Sequence, residues 1–302
     1  MIKTIGVIIC NQNGFTDTAK CIESIKTIRS AKLDILVIDN GSEMSDFKKI
    51  QEIKDISVIR NEKNYGYARG NNQGILYFLN KSEKPGYILL LNNDAFCEED
   101  FLFPLLKILD KSRRVGAVNP LIYYAKERNR IWSSGGKLNM ESGSISSDYM
   151  FHNPSVSIKE PYLVDFVSGC ACLVRTEIFQ EVGLLEESYE MYVEDVEFSL
   201  RVRNHGWVCM VEPRCKIYHK VSASSGGTAS FKKRYYISRN TMFLAKTYFE
   251  EPRLFIQRYL LGQILGLHNY PIASIPFLLF ATLIGSINGL ILSGKRKMKH
   301  EI

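Results

Sequence analysis

The stretch Ile88–Phe96, ILLLNNDAF, runs four aliphatic residues straight into two amides and a carboxylate. An apolar run of this length, followed by the acidic start of a helical pattern at Glu98–Asp100, reads as a strand buried on both faces. Such strands belong to parallel sheets flanked by helices. In open α/β sheets the carboxyl ends of the strands face the ligand crevice, which puts Asp94 where a substrate or a metal would sit.

Working outward, strand patterns recur at Ile5–Cys10, Ile35–Asp39, near Val58 and at Tyr87–Leu91. Helical patterns fall between and after them, at Thr16–Ile28, Ala68–Leu79 and Phe101–Leu109. This βαβ series predicts an α/β fold, Rossmann-like, with a mostly parallel central sheet. Right-handed crossovers then bring Asn11, Asp39 and Asp94 to one side of the sheet. Residues Tyr123–Tyr162 read as a long irregular surface loop, Val164–Val174 as one strand interrupted at Gly169, and Val193–Asn204 as a helix.

With 302 residues and 45% hydrophobic content, the chain can form one large domain or a domain with an appendage. Its seven cysteines match neither a zinc site nor a C-x-x-C redox motif, so reduced thiols in a cytosol are expected. The N-terminus, MIKTIGVIIC, reads as a first strand rather than a secretory signal. The net charge of +7 is uneven: the part from Arg201 onward is strongly basic and the part before it acidic. No helix-turn-helix, zinc-finger or RNA-recognition signature accompanies the basic part, which leaves anionic lipid or a diphosphate substrate as its partner, not nucleic acid.

Four motifs carry candidate chemistry. In IDNGS, Asp39 can accept hydrogen bonds from a ribose or base edge, although an ordinary strand-to-helix turn accounts for it equally. In NEKNYGYARGNNQG, glycines such as Gly66 interleave with amides such as Asn64 and Asn71, a composition suited to a nucleotide lying on the loop. It is not the dinucleotide fingerprint. Asp94 can hold a divalent ion or merely cap the next helix. In YEMYVEDVEFSLR, Asp195 sits at a helix entrance that would keep it ionised and able to take a proton, while Glu197 and Arg201 read as a solvated pair. His219, at a strand end before a glycine-rich loop, completes a metal or diphosphate site or is structural. The run FKKRYYISRN, with Lys232, Lys233, Arg234 and Arg239, could receive a diphosphate or form an exposed amphipathic face.

In this order, IDNGS, NYGYARGNNQG, LLNNDAF, VSGCACLVRTEIFQEVGLLEE leading into YVEDVEFSLR, the later histidine and YYISRN resemble the family 2 glycosyltransferases of the GT-A fold, in particular their rhamnosyltransferase-like branch. The resemblance spans about residues 3–245. It implies a nucleoside-diphosphate sugar donor, Mg2+ or Mn2+ at Asp94, inversion at the anomeric carbon, and Asp195 as general base. Asn11, Asp39, Asn64, Gly66, Asn71, Asn93 and Arg239 would contact the donor, and His219 would assist the metal. The usual D-x-D is here Asn92-Asn93-Asp94, so one carboxylate holds the ion. The Q-x-x-R-W motif of processive synthases is missing, which implies one sugar added per encounter. A sugar-nucleotide nucleotidyltransferase and a non-catalytic nucleotide- or glycan-binding module are the competing readings.

The expected organisation is a catalytic domain over residues 1–250 and an apolar helical segment over 251–302. From Tyr259 to Gly294 there is no Asp, Glu, Lys or Arg, and KRKMKH follows. Spanning a bilayer takes ~20 predominantly apolar residues, so this segment is expected to associate with the cytoplasmic face of a membrane, close to a glycan or lipid-linked acceptor. A buried homo-oligomer helix is the rival.

Overall fold

The computed structural model describes residues 2–139, 144–146, 159–221 and 230–292. Its strands are β1 (Lys3–Asn11), β2 (Ala31–Asp39), β3 (Ser57–Arg60), β4 (Tyr87–Asn92), β5 (Ala95–Phe96), β6 (Val115–Tyr124), β7 (Ile131–Ser133), β8 (Lys137–Asn139), β9 (Ser144–Ser146), β10 (Tyr162–Val164), β11 (Ala171–Arg175) and β12 (Val208–His219). The helices are α1 (Phe15–Lys26), α2 (Met44–Gln51), α3 (Gly66–Leu79), α4 (Leu102–Lys111), α5 (Thr176–Glu181), α6 (Glu194–Asn204), α7 (Phe231–Tyr248), α8 (Pro252–Leu265) and α9 (Ile275–Ile291).

Ten strands form one sheet with the main order β10-β12-β6-β11-β4-β1-β2-β3. Parallel pairing joins β3, β2, β1 and β4, and again β6 and β12, whereas β11 enters antiparallel between β4 and β6. The opening stretch is buried on both faces: on β4, Leu89 and Leu91 belong to one hydrophobic cluster and Ile88 and Leu90 to the cluster on the other side. That split follows from side chains alternating across a strand.

Two regions differ from the sequence reading. The segment Tyr123–Tyr162 is not irregular throughout, because β6 continues to Tyr124 and β7, β8 and β9 lie within it; residues 140–143 and 147–158 fall outside the described part. Val164–Val174 is two strands rather than one, since the chain leaves the sheet after β10 and re-enters at β11. Between them, Asn119 on β6 donates to the Ser168 carbonyl (2.8 Å), and the Cys170 carbonyl accepts from the Asn92 amide (2.9 Å) where the chain rejoins the sheet.

The C-terminal helices close the molecule on one side. Phe249 and Phe255 meet edge to face at 4.4 Å across the expected domain boundary. Phe243 and Leu244 of α7 join Val196 and Leu200 of α6 in a third apolar cluster. Helix α9 lies directly against α7: a Cβ at Gly285 or Gly289 would collide with the main chain at Tyr235 or Arg239. Helices approach this closely only where one presents a bare backbone.

Candidate active site

A cavity of about 540 Å³ opens over the carboxyl ends of β1 and β4. The tip of β1 supplies Asn11, whose amide donates to Asp39 (2.9 Å) and Asp46 (3.0 Å). At the β2 tip, Gly41 has φ +73°, and its α-carbon lies so close to the Lys63 backbone that no side chain fits there. Its neighbour Asp39 is fully buried and committed within the protein, receiving bonds from Asn11 and from the Ser42 hydroxyl (2.5 Å). Asn64 donates to Gln12 (2.6 Å), and both line the cavity with Gly66.

At the β4 tip, Asp94 projects into the same space. Its carboxylate lies 3.0 Å from His219 Nε2 at the end of β12, and Asn93 beside it donates to Thr18 (3.1 Å). Trp132 meets the His219 ring edge-on at 4.4 Å, and His219 Nδ1 is buried without a hydrogen-bond partner. Hard divalent cations prefer oxygen donors at ~2.0–2.1 Å in near-octahedral geometry, for which ~3 Å is the separation expected between adjacent donor atoms. The Asp94–His219 pair fits such an ion, with the remaining positions open to the cavity. No cluster of three or more His, Cys, Asp or Glu side chains able to hold a metal exists among the described residues.

Also lining the cavity, Glu194 and Asp195 open α6 after Val193, which has φ +71°. Asp195 accepts from the Gly169 amide (3.0 Å) and the Val196 amide (2.9 Å). Burial nevertheless pushes its carboxyl above the usual aspartate range, and the two amides only partly oppose this. Its neighbour Glu194 is pushed up further by burial and by Asp195, and one Glu194 oxygen has no partner. The helix entrance therefore does not keep Asp195 as readily ionised as the sequence suggested, because desolvation outweighs the dipole.

Thus Asn11, Asn64, Gly66, Asn93, Asp94, Asp195 and His219 surround one cavity. Asp39, Asn71 and Arg239 do not line it. Asn71 is buried on α3 and donates to the Tyr67 carbonyl (2.9 Å), while Arg239 donates to Ser188 O (2.9 Å) and pairs with Glu190 (3.2 Å). The cation of that basic run that does reach the cavity is Lys233, which makes no ion pair among the described residues and whose pKa burial lowers. Glu197 and Arg201 are buried rather than solvated: Arg201 donates twice to Glu197 (2.7 and 2.8 Å) and also to the Val182 and Leu184 carbonyls, because α6 is enclosed between the sheet and α7. Sequence reasoning overlooked Trp132 and Tyr67, whose hydroxyl donates to Gly169 O (2.6 Å). An aromatic residue inside the Ser- and Gly-rich IWSSGG was the available sign for Trp132.

A mixed sheet of this order, with a polar cavity over its strand tips, defines a GT-A fold. The chain belongs to glycosyltransferase family 2, whose model matches residues 6–183. It is 28% identical over 207 residues, 67% of this chain and 62% of the relative, to the low-salt glycan biosynthesis hexosyltransferase Agl10 of Haloferax volcanii. It is 23% identical over 225 residues, 68% of this chain and 72% of the relative, to an N-acetylglucosaminyl-diphospho-decaprenol L-rhamnosyltransferase of Mycobacterium tuberculosis. Among solved structures, GalNAc-T7 with UDP, GalNAc and Mn2+ superimposes with a TM-score of 0.66 at 17% identity, covering 94% of this chain and 54% of that one.

Proposed function

We propose that the chain transfers one sugar per encounter, with inversion, from a nucleoside-diphosphate sugar to a hydroxyl of a glycan or lipid-linked acceptor in the synthesis of a cell-surface polysaccharide. The observation that carries this is the sharing of one cavity by the Asp94–His219 pair and Asp195. Rhamnose is the candidate sugar, on the strength of the mycobacterial relative's name.

Asp94 and His219 would hold Mg2+ or Mn2+, and an ion bound there compensates the charge that builds on a departing diphosphate, an effect worth several kcal/mol. Lys233 adds a second positive charge to the same region. As the acceptor oxygen bonds to the anomeric carbon, the bond from that carbon to the diphosphate oxygen breaks on the opposite face. The acceptor proton passes to Asp195, a contribution typically of ~10² to 10⁴ in rate. The Gly169 and Val196 amides orient that carboxylate, and the raised pKa makes it a stronger base than an exposed aspartate.

Incubating the protein with a panel of nucleotide-sugars, with Mg2+, Mn2+ or a chelator, tests this reading. Donor turnover that needs the divalent ion supports it; turnover unchanged by the chelator, or release of inorganic diphosphate from a sugar phosphate and a nucleoside triphosphate, contradicts it.

A membrane surface as the meeting place with a lipid-linked acceptor is supported by the C-terminal helices. Leu265, Ile272, Phe277 and Leu283 are each more than half exposed, and one helical stretch, Ile272–Ile291, is long and apolar enough to cross a bilayer. Replacing Phe277, Phe280 and Leu283 by Ser should abolish co-flotation with anionic phospholipid vesicles; unchanged flotation would refute this role for the face.

A further inference from the structure

The loop that delivers Asp195 adopts a backbone its residues resist. Glu190, Tyr192 and Val193 have φ of +57°, +68° and +71°. Residues other than glycine seldom enter this region, a β-branched one least of all, and each instance costs of order 1–3 kcal/mol. Strain persists only where the surroundings over-determine it, and here the surroundings can be named.

Asn240, fully buried on α7, directs its amide nitrogen at three main-chain carbonyls of this loop: Tyr189 (2.8 Å), Met191 (2.8 Å) and Tyr192 (2.7 Å). An amide has only two N–H groups, so three acceptors share them, and all three belong to one turn. Arg239 donates to Asn240 Oδ1 (3.0 Å), which sets the orientation of the amide, and fastens the same loop through the Ser188 carbonyl and Glu190. From the other side, the Glu190 carbonyl accepts from the Tyr67 amide (2.8 Å) at the start of α3. Neither Arg239 nor Asn240 lines the cavity.

We propose that Asn240 is a positioning residue for the transfer step, holding the strained turn of residues 189–193 so that α6 opens with the Asp195 carboxylate facing the acceptor. The assignment rests on Asp195 acting as the base. Asp94 and His219, the residues assigned to the ion, stand at the tips of β4 and β12 rather than on this turn, although Met191, Tyr192 and Val193 of the turn line the same cavity. Loss of the clamp should therefore lower kcat and leave donor binding in place. Helix α9, which abuts the Arg239 turn, braces the clamp from behind.

The test uses the full chain and two readings: calorimetric binding of UDP, dTDP and GDP in the presence of Mn2+, and kcat at saturating donor. Asn240→Asp keeps the size of the side chain and removes the donor aimed at the carbonyls. It is expected to lower kcat by about 10- to 100-fold, the scale of a ~1 Å misplacement of a catalytic group, with nucleotide affinity changed by less than about threefold. Glu190→Ala removes the half-exposed ion pair to Arg239 together with the hydrogen bond from the Tyr236 hydroxyl (2.9 Å), and should lower kcat by about threefold. Unchanged kcat in Asn240→Asp, or a fall in affinity that accounts for the whole loss of kcat/KM, overturns the proposal. Should Asn240→Asp fail to fold, Glu190→Ala decides alone, and an unchanged kcat there overturns it. Asp195→Asn serves as the control: transfer by that variant sinks the base assignment, whereas its inactivity combined with a normal Asn240→Asp sinks the clamp alone.

Discussion

The two carboxylates that share the cavity are mounted in opposite ways. Asp94 lies in the turn just beyond β4, a strand paired with β1 and β11, and its partner His219 comes from the end of another strand. Asp195 stands on the first turn of a helix entered through a left-handed valine, beside a second buried carboxylate, and depends on an asparagine from a helix some 45 residues later in the chain. Rigid strand tips would suit the proposed diphosphate site, which has to grip its ligand in one place. A strained, desolvated mount suits a base whose proton affinity must be raised, and strain of this kind is found where function requires it.

The contrast can be broken at three points. The largest effect is expected at Glu197→Ala, which leaves Arg201 buried without its partner beneath the Asp195 turn. Removing one member of a buried pair typically costs ~3–5 kcal/mol, so the denaturant midpoint should fall sharply, whereas an unchanged midpoint would mean that the base side is not held from below. Next comes Lys233→Ala on the donor side. It should weaken nucleoside-diphosphate binding by about tenfold, equivalent to ~1.4 kcal/mol, without changing the melting temperature much. Equal binding would remove Lys233 from the donor site.

The smallest effect concerns Asp195 itself. Burial raises its pKa in the folded state above the ~3.9 of an unfolded chain, so the folded protein keeps a proton that the unfolded chain has released. The associated stability is fully present below the unfolded pKa and lost as pH rises through the folded one. Asp195→Asn carries no such loss, so its melting temperature should exceed the parent's by a few degrees at pH 8 and match it near pH 4. A variant less stable at pH 8 would show that the carboxylate is welcome in its ionised form. For the same reason kcat should decline on the acid side at a pH above the ordinary aspartate range.

Much of the cavity lining at the strand tips was legible in the sequence because strand periodicity and short motifs are local signals. ILLLNNDAF placed Asp94 at a strand tip, and the βαβ series placed Asn11 beside it. Where the reading went astray, the deciding contacts are distant in the chain. Asp39 and Asn71 looked like cavity residues but are buried off its lining, Asp39 receiving the Asn11 amide and Asn71 donating to the Tyr67 carbonyl, which no local pattern reveals. Arg239 and Lys233 lie six residues apart in one basic run, and only the docking of α7 shows that the first clamps a loop while the second faces the cavity. Glu197 and Arg201 have the i, i+4 spacing of a surface pair, and burial of α6 by a helix from the C-terminal part makes them a core pair.

Separable tasks for Asp94 and Asp195 are tested most directly by calorimetric titration of a nucleoside diphosphate with Mn2+ into Asp94→Asn and Asp195→Asn, alongside a transfer assay. The predicted result is loss of metal-dependent nucleotide binding in the first variant only, with the second binding normally and transferring nothing. Transfer by Asp195→Asn, or equal loss of binding in both variants, would contradict it.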